Sequence, residues 1–260
     1  MPAKKGRFKK QWQEAFPAIV FLAVCCVVWQ IAVDSLKIPL WLLPSPAAIV
    51  KAFWRTRALL WSHTITTVLE TTAGFGLSVI LGLAAGLGMV LSPMLKRIFY
   101  PLLIISQTVP LIAVAPLLIL WLGYGLLPKI VTVVLVCFFP IAVSLIEGLE
   151  VIDNDLLNLM KSMGATKLQI LYMIRWPNAL PSLFAGLKIA AAYSVMGAVI
   201  GEWLGASSGL GVYLTLSSHS FRTDQVFVAI VAITVLSLCY FALIMAIKRL
   251  ALPWLNVRED

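Results

Sequence analysis

Long apolar stretches dominate the chain, and they predict helices that cross a membrane. A helix needs about 20 apolar residues to span the hydrocarbon core of a bilayer, and six stretches of the chain approach or exceed that length. These stretches are Phe16–Val33, part of Thr64–Leu91, Ile98–Leu122, Ile130–Ile146, Ser182–Trp203 and Gln225–Ile247. The predicted fold class is therefore all-α, a polytopic membrane protein of about six transmembrane helices.

The segment between the first two spans predicts a short separate helix. Ser45 suits the N-cap position and Pro46 the first helical position, and aromatic and cationic residues continue to about Trp61. A short helix that carries aromatic and cationic side chains is expected to lie along the outer membrane interface.

Small residues recur every four positions within the second span, at Ser78, Gly82 and Gly86. This spacing lets two helix backbones approach each other closely in lipid. The pattern leaves open whether the partner helix belongs to the same chain or to a second copy of it.

Composition and charge agree with a membrane location and orient the chain. Apolar residues make up 61% of the chain and charged residues 12%, whereas a soluble domain carries about 25% charged residues. The net charge is +9, and thirteen Lys and Arg residues lie in segments on the side of the N-terminus against six on the other side. The six are Lys37, Lys51, Arg55, Arg57, Lys129 and Arg222. By the positive-inside rule both termini are cytoplasmic. Residues 16–250 then form one multi-pass domain in the plasma (inner) membrane, with cytoplasmic tails at 1–15 and 251–260.

The cytoplasmic segment between the fourth and fifth spans predicts two short helices with a break between them. A capping residue among Asp153, Asn154 and Asp155 and an apolar stripe at helical spacing indicate the first helix. The stripe consists of Leu156, Leu157, Met160 and Met163. Gly164 ends this helix, and a second helix follows from Thr166 to about Arg175. Pro177 and Pro181 are predicted to end the second helix.

This pattern resembles the coupling loop of bacterial ABC importer permeases, which would here occupy about residues 153–181. In that family the loop reads approximately Glu-Ala-Ala, three residues, Gly, about nine residues and an Ile-x-Leu-Pro ending. Here Asn158-Leu159-Met160 stands at the Glu-Ala-Ala position, Gly164 at the glycine and Ala179-Leu180-Pro181 at the ending. The family's Glu is thus replaced by Asn158, and both alanines by larger residues. The resemblance implies that the loop docks on a cytoplasmic ATPase. The residues assigned to this loop are Asn158, Leu159, Met160, Met163, Gly164, Ala165 and Pro181.

Further motifs resemble the nitrate, sulfonate and taurine permease group of that family. They are Trp121-Leu-Gly-Tyr-Gly125, Phe138-Phe-Pro140, the run from Gly205 to Gly211, and Thr223-Asp224. Three other segments look most like permeases for pyrimidine precursors of thiamine, namely 106–110, 158–163 and 201–203. The resemblance implies a type I, MetI-like permease fold that imports a small polar solute.

The resemblance also implies partners, because the chain lacks the Gly-x-x-x-x-Gly-Lys-Ser/Thr motif that cradles ATP phosphates and contains no Gly-Lys dipeptide. Two cytoplasmic ATP-binding subunits, an extracytoplasmic substrate-binding protein and a second copy of this chain would complete the transporter in the lipid bilayer. We expect no cofactor, no metal and no nucleic-acid partner. No catalytic residues are predicted, since His63 and His219 fall in separate outer loops.

Polar residues inside the spans are candidates for the translocation pathway, because polar groups at membrane depth are costly. Gln107 and Thr108 precede a proline, which leaves a helical carbonyl without its usual donor. Tyr193 and Ser194 lie in the fifth span, and Glu202 lies near its outer end. The alternative for these side chains is ordinary helix–helix hydrogen bonding or, for Glu202, a position at the membrane interface.

Two other functions are weighed against the importer. An ion-coupled secondary transporter should show inverted repeats and buried carboxylates near mid-membrane, and a membrane enzyme should show clustered His, Asp or Ser at the end of a span. Neither pattern is clear in the sequence. The substrate stays open, because nitrate or a sulfonate favours an anion-attracting lining, whereas an aminopyrimidine favours amides and aromatics such as Gln107 and Tyr193.

Overall fold

The protein is built from α-helices throughout the part of the chain that the structure describes. The computed structural model covers residues 3–152, 154–203 and 205–255, without the side chains of 3–15, 154 and 255. The helices are α1 Ala3–Ser35, α2 Pro46–Leu91, α3 Pro93–Thr108, α4 Leu111–Leu122, α5 Leu126–Glu150, α6 Asn154–Ser162, α7 Lys167–Ile170, α8 Trp176–Trp203, α9 Leu210–His219 and α10 Thr223–Ala251. A π-helical turn occupies Leu171–Arg175, and a 3-10 helix occupies Pro253–Leu255. Asp153, one of the three predicted capping residues, and the end of the predicted C-terminal tail at 256–260 lie outside the described residues.

Five helical segments of the described chain are long and apolar enough to cross a membrane. They are Phe16–Ser35, Pro46–Leu91, Leu126–Glu150, Lys167–Trp203 and Thr223–Ala251. A sixth candidate is the pair of α3 and α4, which is bent by 104°. The predicted all-α class with about six spans is therefore confirmed.

The third predicted span, Ile98–Leu122, is not one helix. Val109 adopts an extended conformation with φ −79° and ψ 121°, and α4 begins only after Pro110. Proline disfavours helical geometry in the residue before it and cannot donate a helical hydrogen bond. These two effects break the span at the bend.

The predicted separate helix that ends near Trp61 is also wrong, although its start is confirmed. The Ala48 N–H donates to Ser45 Oγ at 3.3 Å, so Ser45 caps α2 as expected. The helix then continues to Leu91, because neither glycine nor proline interrupts the chain between Pro46 and Gly74.

Pro177 and Pro181 do not end a helix, contrary to the sequence-based prediction. The chain runs without interruption from α7 through the π turn into α8, so that Lys167–Trp203 forms one span. The Trp176 N–H bonds to the Leu171 carbonyl, five residues back. A widened turn of this kind re-satisfies backbone groups next to a proline.

The chain divides into two compact units, and the first contains residues 1–60 and 214–230. Within this unit the Trp29 and Phe227 rings lie 5.4 Å apart, and Arg55 Nη2 donates to Asp224 Oδ2 at 3.0 Å. The apolar side chains of α1 are largely exposed, as expected for a helix whose solvent is lipid.

The second unit contains residues 61–213 and 231–260, and its core lies between α5 and α8. Fully buried α5 side chains recur every four residues and pack against small and branched α8 side chains. On α5 these are Val133, Cys137, Ile141, Leu145 and Leu149. A Cβ added to Gly186 of α8 would lie 2.3 Å from the Pro140 carbonyl oxygen. The glycine therefore allows the two backbones to touch.

The small residues of α2 serve packing within the same chain. A Cβ at Gly82 would lie 2.8 Å from Ile141, and one at Gly86 would lie 2.8 Å from Leu145, both on α5. Ser78 is buried and donates to the Gly74 carbonyl at 2.7 Å. Of the two alternatives left open by the spacing, the structure thus shows internal packing.

We expect Gly186→Ala to lower the thermal stability of the protein, because overpacking at a close backbone contact costs about 1–3 kcal/mol. Gly76→Ala is the matched control, since Gly76 also lies inside a helix but an added Cβ there has nothing within 4 Å. Fluorescence-detected size exclusion of heated, detergent-solubilised protein measures both melting temperatures. Equal values for the two variants would contradict the close α5–α8 packing.

Candidate functional site

A glycine-centred break separates α6 from α7. The Gly164 N–H donates to the Lys161 carbonyl, and the Ala165 N–H donates to the Met160 carbonyl, both at 3.0 Å. Gly164 has φ +78°. These bonds and this conformation form a Schellman motif, in which a left-handed glycine satisfies the last carbonyls of a helix.

The start of α7 is equally well defined by a capping box. The Gln169 N–H donates to Thr166 Oγ1 at 3.3 Å, and the Thr166 N–H donates to Gln169 Oε1 at 2.7 Å. Reciprocal bonds of this kind satisfy two helical donors at once. Local hydrogen bonds therefore determine the whole turn between the helices.

An apolar face of α6 has no partner within the described chain. Leu157 and Met160 are half-buried, whereas Leu156, Leu159 and Met163 are 40%, 57% and 74% exposed. Residues three and four apart lie on the same side of a helix, so the three exposed side chains form one patch. Exposed apolar patches mark interaction sites.

The residues predicted for the coupling loop therefore fall into two groups. Asn158, Leu159, Met160 and Met163 belong to α6 or its end, and Gly164 and Ala165 form its C-terminal cap. Pro181 lies apart from them, half-buried inside α8.

A cavity of about 430 Å³ opens between α3, α5 and α8. Gln107 of α3, Phe139 and Ser144 of α5, and Tyr193 and Met196 of α8 contribute to its lining. None of the lining residues is charged. The cavity thus offers an amide, two hydroxyl groups and two aromatic rings in an otherwise apolar wall.

Two of the five predicted pathway residues, Gln107 and Tyr193, meet at this cavity. Thr108 is exposed next to Gln107, and its hydroxyl donates to the Ile105 carbonyl at 2.8 Å. Ser194 is fully buried and donates to the Ala191 carbonyl at 2.8 Å. Glu202 does not line the cavity.

Glu202 instead belongs to a buried polar network at the C-terminal end of α8. Thr67 Oγ1 donates to Glu202 Oε1 at 2.6 Å, and the Gly211 N–H donates to Glu202 Oε2 at 2.5 Å. The Leu210 N–H donates to Thr67 Oγ1 at 2.8 Å, and the Gly209 N–H donates to His63 Nδ1 at 2.9 Å. Three consecutive N–H groups at the start of α9, which no helical carbonyl can satisfy, thus find side-chain partners.

Gly209 is one loop position at which the buried carboxylate requires glycine. Its φ of +127° is a conformation that L side chains rarely adopt, and an added Cβ would lie 2.1 Å from the Glu202 carboxyl carbon. Both the backbone conformation and the available space therefore require glycine next to the buried carboxylate.

A buried ion pair joins the same region of the fold. Lys129 Nζ donates to Glu70 Oε1 at 2.5 Å, with Glu70 fully buried and the Lys129 side chain 10% exposed. The network therefore brings α2, α5, α8 and the start of α9 together.

Sequence reasoning missed most of this network. Lys129 was expected among exposed outer cations and His63 in an outer loop, but both are buried. A usable signal existed, because Glu70 and Lys129 carry opposite charges near the same predicted membrane face.

We expect Lys129→Met to destabilise the protein by about 3–5 kcal/mol, because it leaves Glu70 buried without its counter-charge. The double variant Glu70→Gln/Lys129→Met should recover much of that loss. Lys96→Met is the control, since Lys96 pairs with Glu150 at 2.6 Å while both side chains stay partly exposed, and such pairs contribute at most about 1 kcal/mol. Melting temperatures in detergent report all three. A Lys129 variant no less stable than the Lys96 variant would contradict the buried pair.

Comparison with known proteins finds one family and several relatives. The family described as binding-protein-dependent transport system inner membrane component matches residues 78–253. The formylaminopyrimidine transport permease protein ThiX of Halalkalibacterium halodurans is 37% identical over 247 residues, covering 95% of this chain and 98% of that protein. The riboflavin transport system permease protein RibX of Chloroflexus aurantiacus is 34% identical over 237 residues, covering 90% and 88%. The taurine transport system permease protein TauC of Escherichia coli is 28% identical over 258 residues, covering 95% and 94%.

Solved structures with a similar fold are also transporters. A crystal structure of an amino acid ABC transporter with histidines aligns with a TM-score of 0.63 at 16% identity, covering 76% of this chain and 96% of that chain. An inward-facing structure of the MetNI methionine ABC transporter aligns with a TM-score of 0.54 at 20% identity, covering 75% and 97%. At these identities the similarity concerns the fold.

Proposed function

This chain belongs to the binding-protein-dependent transport system inner membrane component family, and we propose that it passes a neutral aminopyrimidine of the thiamine-precursor class across the membrane. It is a multi-pass inner-membrane permease subunit of an ABC importer, with the MetI-like fold that the sequence predicted. The observation that carries the substrate proposal is the uncharged cavity between α3, α5 and α8.

The lining of that cavity suits a small heteroaromatic ring. Its volume of about 430 Å³ falls within the range of roughly 300–1,000 Å³ usual for ligand sites. Phe139 and Tyr193 offer ring faces for stacking, and the Gln107 amide offers a donor beside an acceptor, as an aminopyrimidine edge requires. The name of the relative ThiX gives formylaminopyrimidine as its cargo, which is a molecule of this class.

An anionic solute is the second candidate, and Lys188 is the observation that favours it. Lys188 lines a neighbouring cavity of about 330 Å³ that shares Ile189 and Tyr193 with the first. A sulfonate needs charged donors of this kind, and the relative TauC is named for taurine transport. Lys188→Gln should abolish transport of an anion and leave that of a neutral aminopyrimidine intact.

We propose that ATP-binding subunits drive transport by acting on α6. With both termini cytoplasmic, the exposed patch of Leu156, Leu159 and Met163 faces the compartment that holds ATP, where two ATP-binding subunits dock on it. Asn158, which stands at the position of the family's Glu, offers an amide on the same helix. A substrate-binding protein on the opposite side and a second copy of this chain complete the importer, because one set of six helices does not enclose a gated path.

Continuity of the backbone supports this route for force. The turn at Gly164 is held by the Schellman motif and the capping box, and α7 continues through the π turn into α8. Tyr193 and Met196 of the cavity lie on that same helix. A displacement of α6 by a closing ATPase therefore reaches the cavity without crossing a flexible joint.

We expect Gly164→Val to abolish uptake and ATPase stimulation in the assembled transporter, reconstituted in vesicles, while the chain still inserts. A branched side chain resists the φ of +78° at this position. Gly164→Asn is the matched control, because asparagine tolerates that conformation and an added Cβ has nothing within 4 Å. Normal uptake by the valine variant would argue against the loop as the coupling element.

Tyr193→Phe and Gln107→Leu should each raise the KM for uptake of radiolabelled formylaminopyrimidine by about 5- to 30-fold, the effect of losing about 1–2 kcal/mol of hydrogen bonding. Ser194→Ala is the control, since Ser194 is buried and bonds to its own helix. Its KM should change by less than about twofold. Uptake of taurine but not of the pyrimidine by the unaltered transporter would reject the substrate proposal.

A further inference from the structure

A second cavity, of about 250 Å³, lies beside the proposed coupling loop. One wall is the junction of α2 and α3, with Leu91 and Pro93, and the other is built from α6, α7 and the π turn. All its charged lining residues are cations, namely Lys161, Lys167 and Arg175, and the rest of its lining is apolar. We call this cavity the basic groove.

The three cations of the basic groove have no counter-charge in the part of the chain that the structure describes. The ion pairs found there involve Arg55, Lys96 and Lys129 instead. The Nε of Arg175 is shielded from solvent and has no hydrogen-bond partner. A shielded guanidinium N–H without an acceptor is costly, so the groove is electrostatically incomplete without an anion.

The chemistry of the cations indicates which anion would fit. The planar guanidinium of Arg175 can hold two oxygens of a phosphate at once, and the ammonium groups of Lys161 and Lys167 add point charges. Arg175 ends the π turn, and π-helical turns are frequent at functional sites. The groove therefore matches a phosphate group.

The surroundings of the groove indicate that this phosphate carries acyl chains. Leu91, Pro93 and Ile170 give it an apolar wall. Next to it, Leu168, Tyr172 and Met173 are 61%, 70% and 67% exposed. Large apolar and aromatic side chains left exposed at the end of membrane spans are typical of the headgroup level of a bilayer. A soluble phosphate would gain no binding energy from the apolar wall or from the exposed apolar side chains beside it.

We propose that the basic groove binds the phosphate headgroup of an anionic phospholipid of the cytoplasmic leaflet, with the start of an acyl chain against Leu91 and Pro93. Basic pockets at the cytoplasmic ends of spans are suited to such headgroups. The bound lipid would join the loop to the α2–α3 junction and so stiffen the route from α6 to α8. The inference depends on the proposed cytoplasmic position of the loop and not on the identity of the transported solute.

Binding is tested on the full chain in mild detergent by native mass spectrometry with phosphatidylglycerol or phosphatidylcholine. The groove variant is Lys167→Gln/Arg175→Gln, which leaves α6 unaltered. The control variant is Lys248→Gln/Arg249→Gln, which removes the same charge from the end of α10. We expect the groove variant to retain at least tenfold less phosphatidylglycerol than the unaltered chain, and the control variant to retain it fully. Equal losses in both variants would show general surface attraction and overturn the proposal.

Two further arms separate the proposal from its rivals. Inorganic phosphate, added at millimolar concentration, should raise the melting temperature less than phosphatidylglycerol does; an equal rise would mean that a free anion, not a lipid, fills the groove. A groove variant that binds the lipid normally but no longer retains the ATPase would assign the groove to the ATPase contact and overturn the proposal.

A charge-preserving variant tests whether misfolding, and not the loss of charge, explains weaker lipid binding. Lys167→Arg/Arg175→Lys keeps both cations and should retain most of the lipid binding if the groove acts through charge. In the assembled transporter, adding phosphatidylglycerol to phosphatidylcholine vesicles should raise ATP-driven uptake severalfold for the control variant but not for the groove variant. Equal stimulation of both would again reject the lipid site.

Discussion

The burial of two carboxyl groups among apolar helices is the constraint on which the arrangement of this permease depends. Removing a carboxylate from water costs several kcal/mol, and the cost is offset only when hydrogen bonds and counter-charges surround it closely. Glu70 is paired with Lys129 at one carboxylate oxygen, and Glu202 accepts hydrogen bonds from Thr67 and from the Gly211 N–H in the first turn of α9. Glu202 is the acid on α8, and its two bonds hold the C-terminal end of that helix against α2 and the start of α9. The Lys129–Glu70 pair joins α5 to α2. Both oxygens of Glu202 have hydrogen-bond partners, whereas the second oxygen of Glu70 has none within the described residues.

The other end of α8 is held in a different way, and the contrast bears on the transport mechanism. There the helix continues backwards through the π turn and α7 to the capped turn at Gly164, and its first turns pack on α5 through apolar side chains. A helix fixed by buried polar bonds at one end and pushed through a continuous backbone at the other will tilt more readily than it will slide. Tyr193 and Met196 lie between these two ends, so a tilt of α8 changes the cavity that they line.

Local sequence signals predicted the parts of this fold that depend on local physics. The length of apolar stretches predicted the spans, Ser45 predicted the start of α2, and Gly164 predicted the end of α6. The predictions were wrong where the conformation or burial of a residue depends on its partners in the folded structure. Pro177 was expected to end a helix, but a π turn accommodates it, and Lys129 was expected at the surface, although Glu70 lies 59 positions away in sequence as its partner. Tyr193 and Ser194 show the same limit at the cavity, because adjacent helical residues point in directions about 100° apart and only the packing of α5 decides which one is buried.

Charged and uncharged regions occupy different parts of α8, so that one helix can both stabilise the fold and line the cavity that selects the solute. Glu202 lies at its C-terminal end, the basic groove adjoins the turn that leads into its N-terminal end, and the cavity lining between them is uncharged. An uncharged cavity offers an anion no compensation for its lost hydration, whereas a neutral ring that carries amino and ring nitrogens can exchange water for Gln107 and Ser144. Lys188 is the exception, since it lies half-buried in the adjoining cavity. Selection between a neutral and an anionic cargo by this chain can therefore depend on a small number of positions on α8 that lie apart from the buried network at the end of the helix.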